Sequence, residues 1–200
     1  MTLLEPIPTE LLREACSPVL ETERLVLRAP RLEDAKQIST LANDRLLAEN
    51  TARIPHPYRL ADAEAFVAQS NRDDGETNFL VTRSDGTIIG ACGLDRRDAA
   101  APEIGYWVGL AFRGNGYATE AARAVIDWAF ADGRHEALQA GARVTNPASR
   151  RVLEKCGFQW TGVGLYRIRA LASSAPIDRF RLDRGIWMSL KTWRPVRQLA

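Results

Sequence analysis

Glu103-Ile104-Gly105-Tyr106-Trp107-Val108 leads through a short link to Arg113-Gly114-Asn115-Gly116-Tyr117-Ala118 and on to Thr119-Glu120-Ala121-Ala122-Arg123-Ala124-Val125. The first segment alternates as a strand does: Ile104, Tyr106 and Val108 point one way, Glu103, Gly105 and Trp107 the other. The last segment sets Ala118, Ala121, Ala122, Val125 and Ala129 at helical spacing. A helix is therefore predicted over about 117–131, with small residues that let it lie close to a sheet. The loop between them enters a helix. There the backbone N–H groups lack internal partners and the helix dipole presents partial positive charge, the combination that binds phosphate oxygens. Gly114 and Gly116 let several N–H groups converge and keep Cβ atoms out of a diphosphate's path. Arg113 adds a charged donor. Taken alone, Gly114-Asn115-Gly116 reads equally as an ordinary turn, because turns and phosphate cradles use the same residues. The loop lacks Gly-Lys-Ser/Thr, which argues against a nucleotide-binding Walker loop.

Working toward the N-terminus, Asn78 to Thr82 and Thr87 to Leu94 read as strands joined by the hairpin signal Ser84-Asp85-Gly86. A helix is expected from near Asp62 to Gln69. Ile54-Pro55-His56-Pro57-Tyr58 interrupts regular structure. Leu32, Ala35, Ile38 and Leu41 mark one face of a helix over about 31–43, and Arg24 to Arg28 alternates as a first strand. Residues 1–20 read as an extension punctuated by Pro6, Pro8 and Pro18, with a short helix over Thr9 to Glu14; the domain itself is expected over 21–193. Toward the C-terminus, Leu138, Ala140, Ala142 and Val144 alternate. Asn146-Pro147 opens a helix with an N-cap and a first-position proline, and Gly157 stops it. Phe158 to about Arg169 and Phe180 to Leu190 read as two last strands, separated by a long irregular loop over 170–178. The order is that of a mixed α/β sheet flanked by helices.

The chain has 200 residues, 46% hydrophobic and 26% charged, with a net charge of +2. That suits one α/β domain and lacks the basic excess of a dedicated nucleic-acid binder. Cys16, Cys92 and Cys156 have no metal-ligand spacing, and only His56 and His135 are available to help them, so no metal is expected. Their odd number fits a reducing cytoplasm. No apolar run approaches the roughly 18 residues of a membrane span, and Met1 to Leu12 does not resemble a signal peptide.

Arg113-x-x-Gly116-x-Ala118 resembles the Q/R-x-x-G-x-G/A signature of the GNAT acetyltransferases, and Glu103 to Val108 is similar to that family's fourth strand. Asn146-x-x-Ser149-x-x-Val152-x-x-Lys155-x-Gly157-Phe158 looks like its second cofactor motif, as written in the RimJ/RimL-like branch that acetylates ribosomal-protein N-termini. Glu21 to Arg28 and Pro55-His56-Pro57-Tyr58 look like that branch too. The resemblance covers about 21–190. It implies the GNAT acyl-CoA N-acyltransferase fold: a central, mostly antiparallel twisted sheet, splayed between its fourth and fifth strands. It also implies acetyl-CoA as co-substrate and direct attack by an amine in a ternary complex.

On that resemblance the pyrophosphate meets the main chain of Arg113, Gly114, Asn115, Gly116, Tyr117 and Ala118. The pantetheine arm pairs near Trp107, Val108 and Leu110 and reaches Asn146 and Ser149. Asn146 reads equally as a plain N-cap and Ser149 as a local capping hydroxyl. Many family members carry a tyrosine in this helix that protonates the leaving thiolate. Leu153 stands there instead, which leaves Ser149 or water. Glu103 is the candidate base, against an ordinary charged strand end. Asp95, Asp98 and His56 read as solvated loop residues or as minor contributors at the acceptor side. Arg150 and Arg151 read as a solvated helix face or a 3′-phosphate contact. Trp107, Trp160 and Trp187 read as core or cleft walls. The acceptor expected is a protein N-terminal α-amine. The alternatives are a small-molecule amine, or a non-catalytic acyl-CoA-binding regulatory domain. A monomer and a homodimer both fit, and neither nucleic acid nor membrane is an expected partner.

Overall fold

The computed structural model describes residues 18–72, 75–96, 101–131 and 133–192. The described chain runs β1 (Leu20–Glu21), β2 (Leu25–Arg28), a 3-10 turn (Leu32–Asp34), α1 (Ala35–Ala42), α2 (Arg45–Glu49) and α3 (Leu60–Ser70). Next come β3 (Glu76–Arg83), β4 (Ile88–Asp95), β5 (Glu103–Val108), a second 3-10 turn (Leu110–Phe112), α4 (Tyr117–Ala131) and β6 (Ala137–Arg143). It closes with α5 (Pro147–Lys155), β7 (Gln159–Ile168), a third 3-10 turn (Arg169–Leu171), β8 (Ser173–Asp183) and α6 (Arg184–Thr192). The strands form one sheet in the order β1-β2-β3-β4-β5-β6-β8-β7. Every neighbouring pair is antiparallel except β5–β6. The expected helix over Thr9 to Glu14 lies outside the described residues.

The fourth and fifth strands counted from the sequence are β5 and β6. They run parallel and pair only at Glu103↔Gln139 and Ile104↔Ala140. Each stays paired on its outer side to its end, β5 with β4 as far as Val108 and β6 with β8 as far as Arg143. A gap bounded by main chain therefore opens along Gly105 to Val108.

The two-residue period of the strands divides the core. Phe79 and Val81 of β3 face α4, whose Ala121, Ala122, Val125 and Ala129 lie against the sheet. Leu80, between them, faces α1 and α3 with Ile38, Ala63 and Val67. Leu153 of α5, Phe158 and Phe180 extend the first cluster under the gap.

The C-terminal end differs from the sequence expectation. Residues 173–178 are strand, because Ser173 to Pro176 pair with Ile168 to Leu165 of β7, and such long-range pairing leaves no mark on local composition. The strand also ends at Asp183, and Arg184 to Thr192 is helix instead of continued strand. Ile186 and Trp187 pack on the core, Trp187 Nε1 donates to Asp127 Oδ1 at 2.7 Å, and its ring lies 5.1 Å from that of Phe130. α2 is also additional; Asp44 caps it by accepting from the Leu47 N–H at 3.1 Å.

Leu153 is only 1% exposed. Leu153→Ala is expected to lower stability by about 2–5 kcal/mol through the cavity it leaves. Urea unfolding checks this as a lower midpoint with an unchanged slope.

Candidate active site

The gap between β5 and β6 widens into a cleft of about 1340 Å³. Its walls bring together Glu103, Trp107, Val108, Arg113, Gly114, Gly116, Tyr117, Ala118, Asn146 and Ser149. Leu110 and Asn115 are not part of the wall. Leu110 is 67% exposed on the outer surface. The Asn115 amide turns back to donate to the carbonyls of Phe112 and Arg113, both at 3.1 Å.

The loop before α4 is left-handed at Gly114 (φ 81°) and Gly116 (φ 80°), a conformation that costs glycine nothing. A Cβ at Gly114 would meet nothing within 4 Å, and one at Gly116 only the Arg24 guanidinium at 3.5 Å. Among the described residues, the N–H groups of Gly114, Asn115 and Gly116 find no acceptor. The charged donor expected from Arg113 is committed elsewhere: Nε donates to the Val108 carbonyl at 3.1 Å and Nη2 pairs with Asp44 at 3.0 Å. The main-chain N–H of Arg113 is also engaged, to Leu110 at 3.3 Å.

A clasp from the first strands holds this loop from behind. Arg24 Nη1 donates to the Asn115 carbonyl at 3.1 Å, and its guanidinium pairs with Glu120 at 2.6 Å and lies 4.8 Å over the Tyr117 ring. Thr22 Oγ1 donates to Glu120 at 2.7 Å, and the Arg24 N–H donates to the same oxygen at 3.0 Å. These contacts hold the Glu120 carboxyl below its ordinary range despite some burial. Sequence reasoning missed the clasp. Its one local trace is an acid in the first turn of α4.

At the other end of the cleft Glu103 projects over Gly141, its Oε1 3.8 Å from where a Cβ there would stand. Glu103 is reachable by solvent, but it sits inside a concavity. That desolvation, with Asp95 nearby, raises its carboxyl above the ordinary value, while Arg53 and Arg179 pull the other way. Arg53 ties Glu76 at 2.6 Å to Asp95 at 2.8 Å. His56 is exposed and outside the cleft wall; Asp98 lies outside the described residues. Trp160 is 53% exposed and donates to Asp178, so it is not a cleft wall.

Asn146, also in the cleft wall, caps α5, its Oδ1 accepting from the Ser149 N–H at 3.2 Å. Ser149 Oγ lies 2.9 Å from the Tyr106 hydroxyl, which also reaches the Ser149 carbonyl at 3.1 Å. The alternation placed Tyr106 with Ile104 but could not say that its hydroxyl would reach α5. Arg150 is tied to Glu154 and Asp178, whereas Arg151 and Lys155 line the cleft.

Residues 24–159 match the acetyltransferase (GNAT) domain family. The chain is 36% identical to the probable N-acetyltransferase YjcK of Bacillus subtilis over 100 residues, 48% of this chain and 55% of that protein. The match thus spans only about half of that relative's length. It is 31% identical to the uncharacterized N-acetyltransferase YoaA of the same organism over 154 residues, 73% of this chain and 85% of the relative. Among solved structures, Mycobacterium smegmatis RimJ in complex with CoA-disulfide superposes with a TM-score of 0.72 at 19% identity, covering 88% of this chain and 92% of that one. Spermidine N-acetyltransferase from Vibrio cholerae, in complex with CoA and spermine, gives 0.71 at 20% identity, covering 84% and 99%. At these identities the two likenesses are of fold.

The raised Glu103 carboxyl has a consequence for stability. The unfolded chain loses this proton near the ordinary carboxyl value of about 4.3 and the folded chain only at higher pH, so ionising Glu103 opposes folding across that window and above it. Glu103→Gln removes the opposition. The variant is expected to melt above the wild type at neutral pH, with the difference closing as pH falls toward about 4. A variant melting below the wild type at neutral pH would contradict this.

Proposed function

The chain belongs to the GNAT acetyltransferases, and from that premise we propose that it moves the acetyl group of acetyl-CoA to a protein N-terminal α-amine by direct attack in a ternary complex. The observation that carries this reading is the pairing of an open, left-handed glycine loop at a helix N-terminus with the gap between β5 and β6.

The residues present suit acetyl-CoA. The N–H groups of Gly114, Asn115 and Gly116 are unengaged just ahead of the first turn of α4, and the space at Gly114 and Gly116 is open enough for a phosphate to approach. The β5 main chain from Gly105 to Val108 has no β6 partner, so its gap-facing polar groups, apart from the Val108 carbonyl that Arg113 occupies, are available to the amides of a pantetheine arm. Asn146 spends its oxygen on the cap and keeps its amide nitrogen for the cleft. Acetyl-CoA supplies an activated thioester; the chain supplies position and proton traffic. The cleft volume exceeds the usual several hundred Å³ of a single-ligand pocket, which leaves room for an acceptor beside the cofactor.

Glu103 takes the proton of the attacking amine, directly or through one water, and its raised carboxyl makes it a better base than an ordinary glutamate. The carbon–nitrogen bond forms as the carbon–sulfur bond breaks, and the departing sulfur accepts a hydrogen bond from Ser149. Three observations support an α-amine acceptor. The α5 motif is written as in the RimJ/RimL-like branch. An α-amine, at about 7.7–8.0, is far easier for a carboxylate to deprotonate than an alkylamine near 10.4. Arg53 also offsets the charge of Glu76 and Asp95 at the mouth. Counted with Glu103, the acids at the mouth still outnumber Arg53, and that surplus favours a polyamine as the second reading. Cys92 and Cys156 are free thiols, which suits a reducing cytoplasm; burial raises both, Cys156 to about 11, so neither is poised as a nucleophile.

Gly116→Val places a branched side chain at φ 80° over the phosphate-sized space. It is expected to weaken acetyl-CoA binding by at least about 30-fold in calorimetry, the loss of more than one of the charge-assisted bonds proposed here. Wild-type affinity in a folded variant would remove the cradle. Glu103→Gln is expected to lower kcat for thiol release with N-terminal alanyl peptides by about 10²-fold while sparing acetyl-CoA affinity. Faster turnover of spermidine than of any peptide by the wild type would favour the second reading.

A further inference from the structure

Tyr106 stands on the core-facing side of β5, yet its hydroxyl is not buried among hydrocarbon. It crosses the gap to α5 and meets Ser149 twice, 2.9 Å from Oγ and 3.1 Å from the carbonyl oxygen. The Ser149 N–H is fixed separately by Asn146 Oδ1 at 3.2 Å. The serine proposed to face the departing sulfur is thus held at three points, two of them by one tyrosine from the opposite wall. One turn further along α5, where many relatives carry a tyrosine, Leu153 is buried in the core. A phenolic hydroxyl reaches the same helix from the strand instead.

Resting on that reading of Ser149, we infer that Tyr106 is a positioning residue that donates its hydrogen bond to Ser149 Oγ and so turns the serine's own proton into the cleft, toward the leaving sulfur.

A tyrosine has one proton and therefore two arrangements here. In the first it donates to the Ser149 carbonyl, and the serine spends its proton on the tyrosine oxygen, presenting only lone pairs to the cleft. In the second it donates to Oγ, and the serine proton is free to point outward. Negative charge growing on sulfur selects the second, because lone pairs would repel it. The two differ only in rotation of two hydroxyl hydrogens between acceptors already in reach, so no heavy atom moves at the moment of reaction. No proton is transferred to sulfur. Burial keeps the phenol protonated well beyond its ordinary range, so Tyr106 acts as an oriented donor and not as the acid. Without the phenol, the serine hydroxyl falls back on its own helix carbonyls, the usual partners of a helical serine.

The test uses the full chain loaded with CoA and needs no acceptor. The ultraviolet absorbance of the bound thiolate is titrated, with the CoA-free protein subtracted, in the wild type, Tyr106→Phe, Ser149→Ala and the double variant. In the wild type the bound thiol should ionise at lower pH than free CoA. Each single variant should reduce its ionisation constant by about tenfold, the loss expected for one hydrogen bond to a charged group. The double variant should lose no more than Ser149→Ala alone, since Tyr106 acts only through the serine. Tyr106→Phe with an unshifted thiol, or an equal further loss in the Ser149→Ala background, overturns the inference. If Tyr106→Phe folds poorly, 3-fluorotyrosine at 106 keeps the ring and strengthens the donor. It should raise the ionisation constant, and no change would also overturn the inference. Wild-type protein that fails to bind CoA overturns the acetyltransferase reading and this one with it; CoA bound with the thiol of free solution overturns this one alone.

Discussion

Two parallel strands that share two residue pairs and then separate set the terms for the rest of this molecule. Glu103 and Ile104 hold β5 to β6, and from Gly105 onward β5 offers its main chain to whatever enters. Parting strands would ordinarily be costly, because buried N–H and C=O groups need partners. Here each strand keeps its full ladder on the outer side, so only the inner row of each strand's polar groups faces the gap. Beneath it, the alanine face of α4 and the side chains of Leu153, Phe158 and Phe180 form a continuous apolar floor. The opening is therefore a feature of a well-packed sheet and needs no local disorder to exist.

What surrounds the gap comes from regions far apart in the chain, each fixed before a ligand arrives. Thr22 and Arg24 brace the glycine loop through Glu120 and the Asn115 carbonyl, 91 to 98 residues away. The backbone of Arg169 donates to the Ala52 carbonyl at 2.9 Å, and Arg143 donates to that of Glu49, which joins the 49–55 segment to the C-terminal half of the sheet. A loop held at both ends loses little freedom when it binds, and preorganisation of this kind raises affinity without adding contacts.

Elements governed by local period were legible in the sequence. The alanine spacing of α4, the Ser84-Asp85-Gly86 hairpin and the Asn146-Pro147 start of α5 each carry their own signal, and each stands where it was expected. The elements misread are those decided by distant partners. Ser173 to Asp178 has the composition of a loop but gains a ladder from β7 and β6. Arg184 to Thr192 becomes helical because Trp187 can then reach Asp127 and Phe130. The site shows the same division. Gly114, Gly116, Asn146, Ser149 and Glu103 announce themselves through turn, cap and strand chemistry. Alternation fixed the face of Tyr106 but not the reach of its hydroxyl, and nothing near Arg113 disclosed that Asp44, 69 residues earlier, would engage it.

β7 closes the strand order, with ten residues from Gln159 to Ile168 bonded to β8 on one side only among those described. Val163 and Leu165 on this strand are 58% and 72% exposed. A long apolar border strand is where a foreign chain can add itself in cross-strand fashion, the first step of ordered aggregation. Two features work against it. The register slips between Trp160 and Gly162, which twists the border away from the flat geometry that fibril growth requires, and Arg167 plants a charge near its far end. The irregularity at Trp160 and the Arg167 charge therefore guard this border against an added strand, and because Arg167 also lines the cleft, replacing it would alter the wall of the candidate site as well.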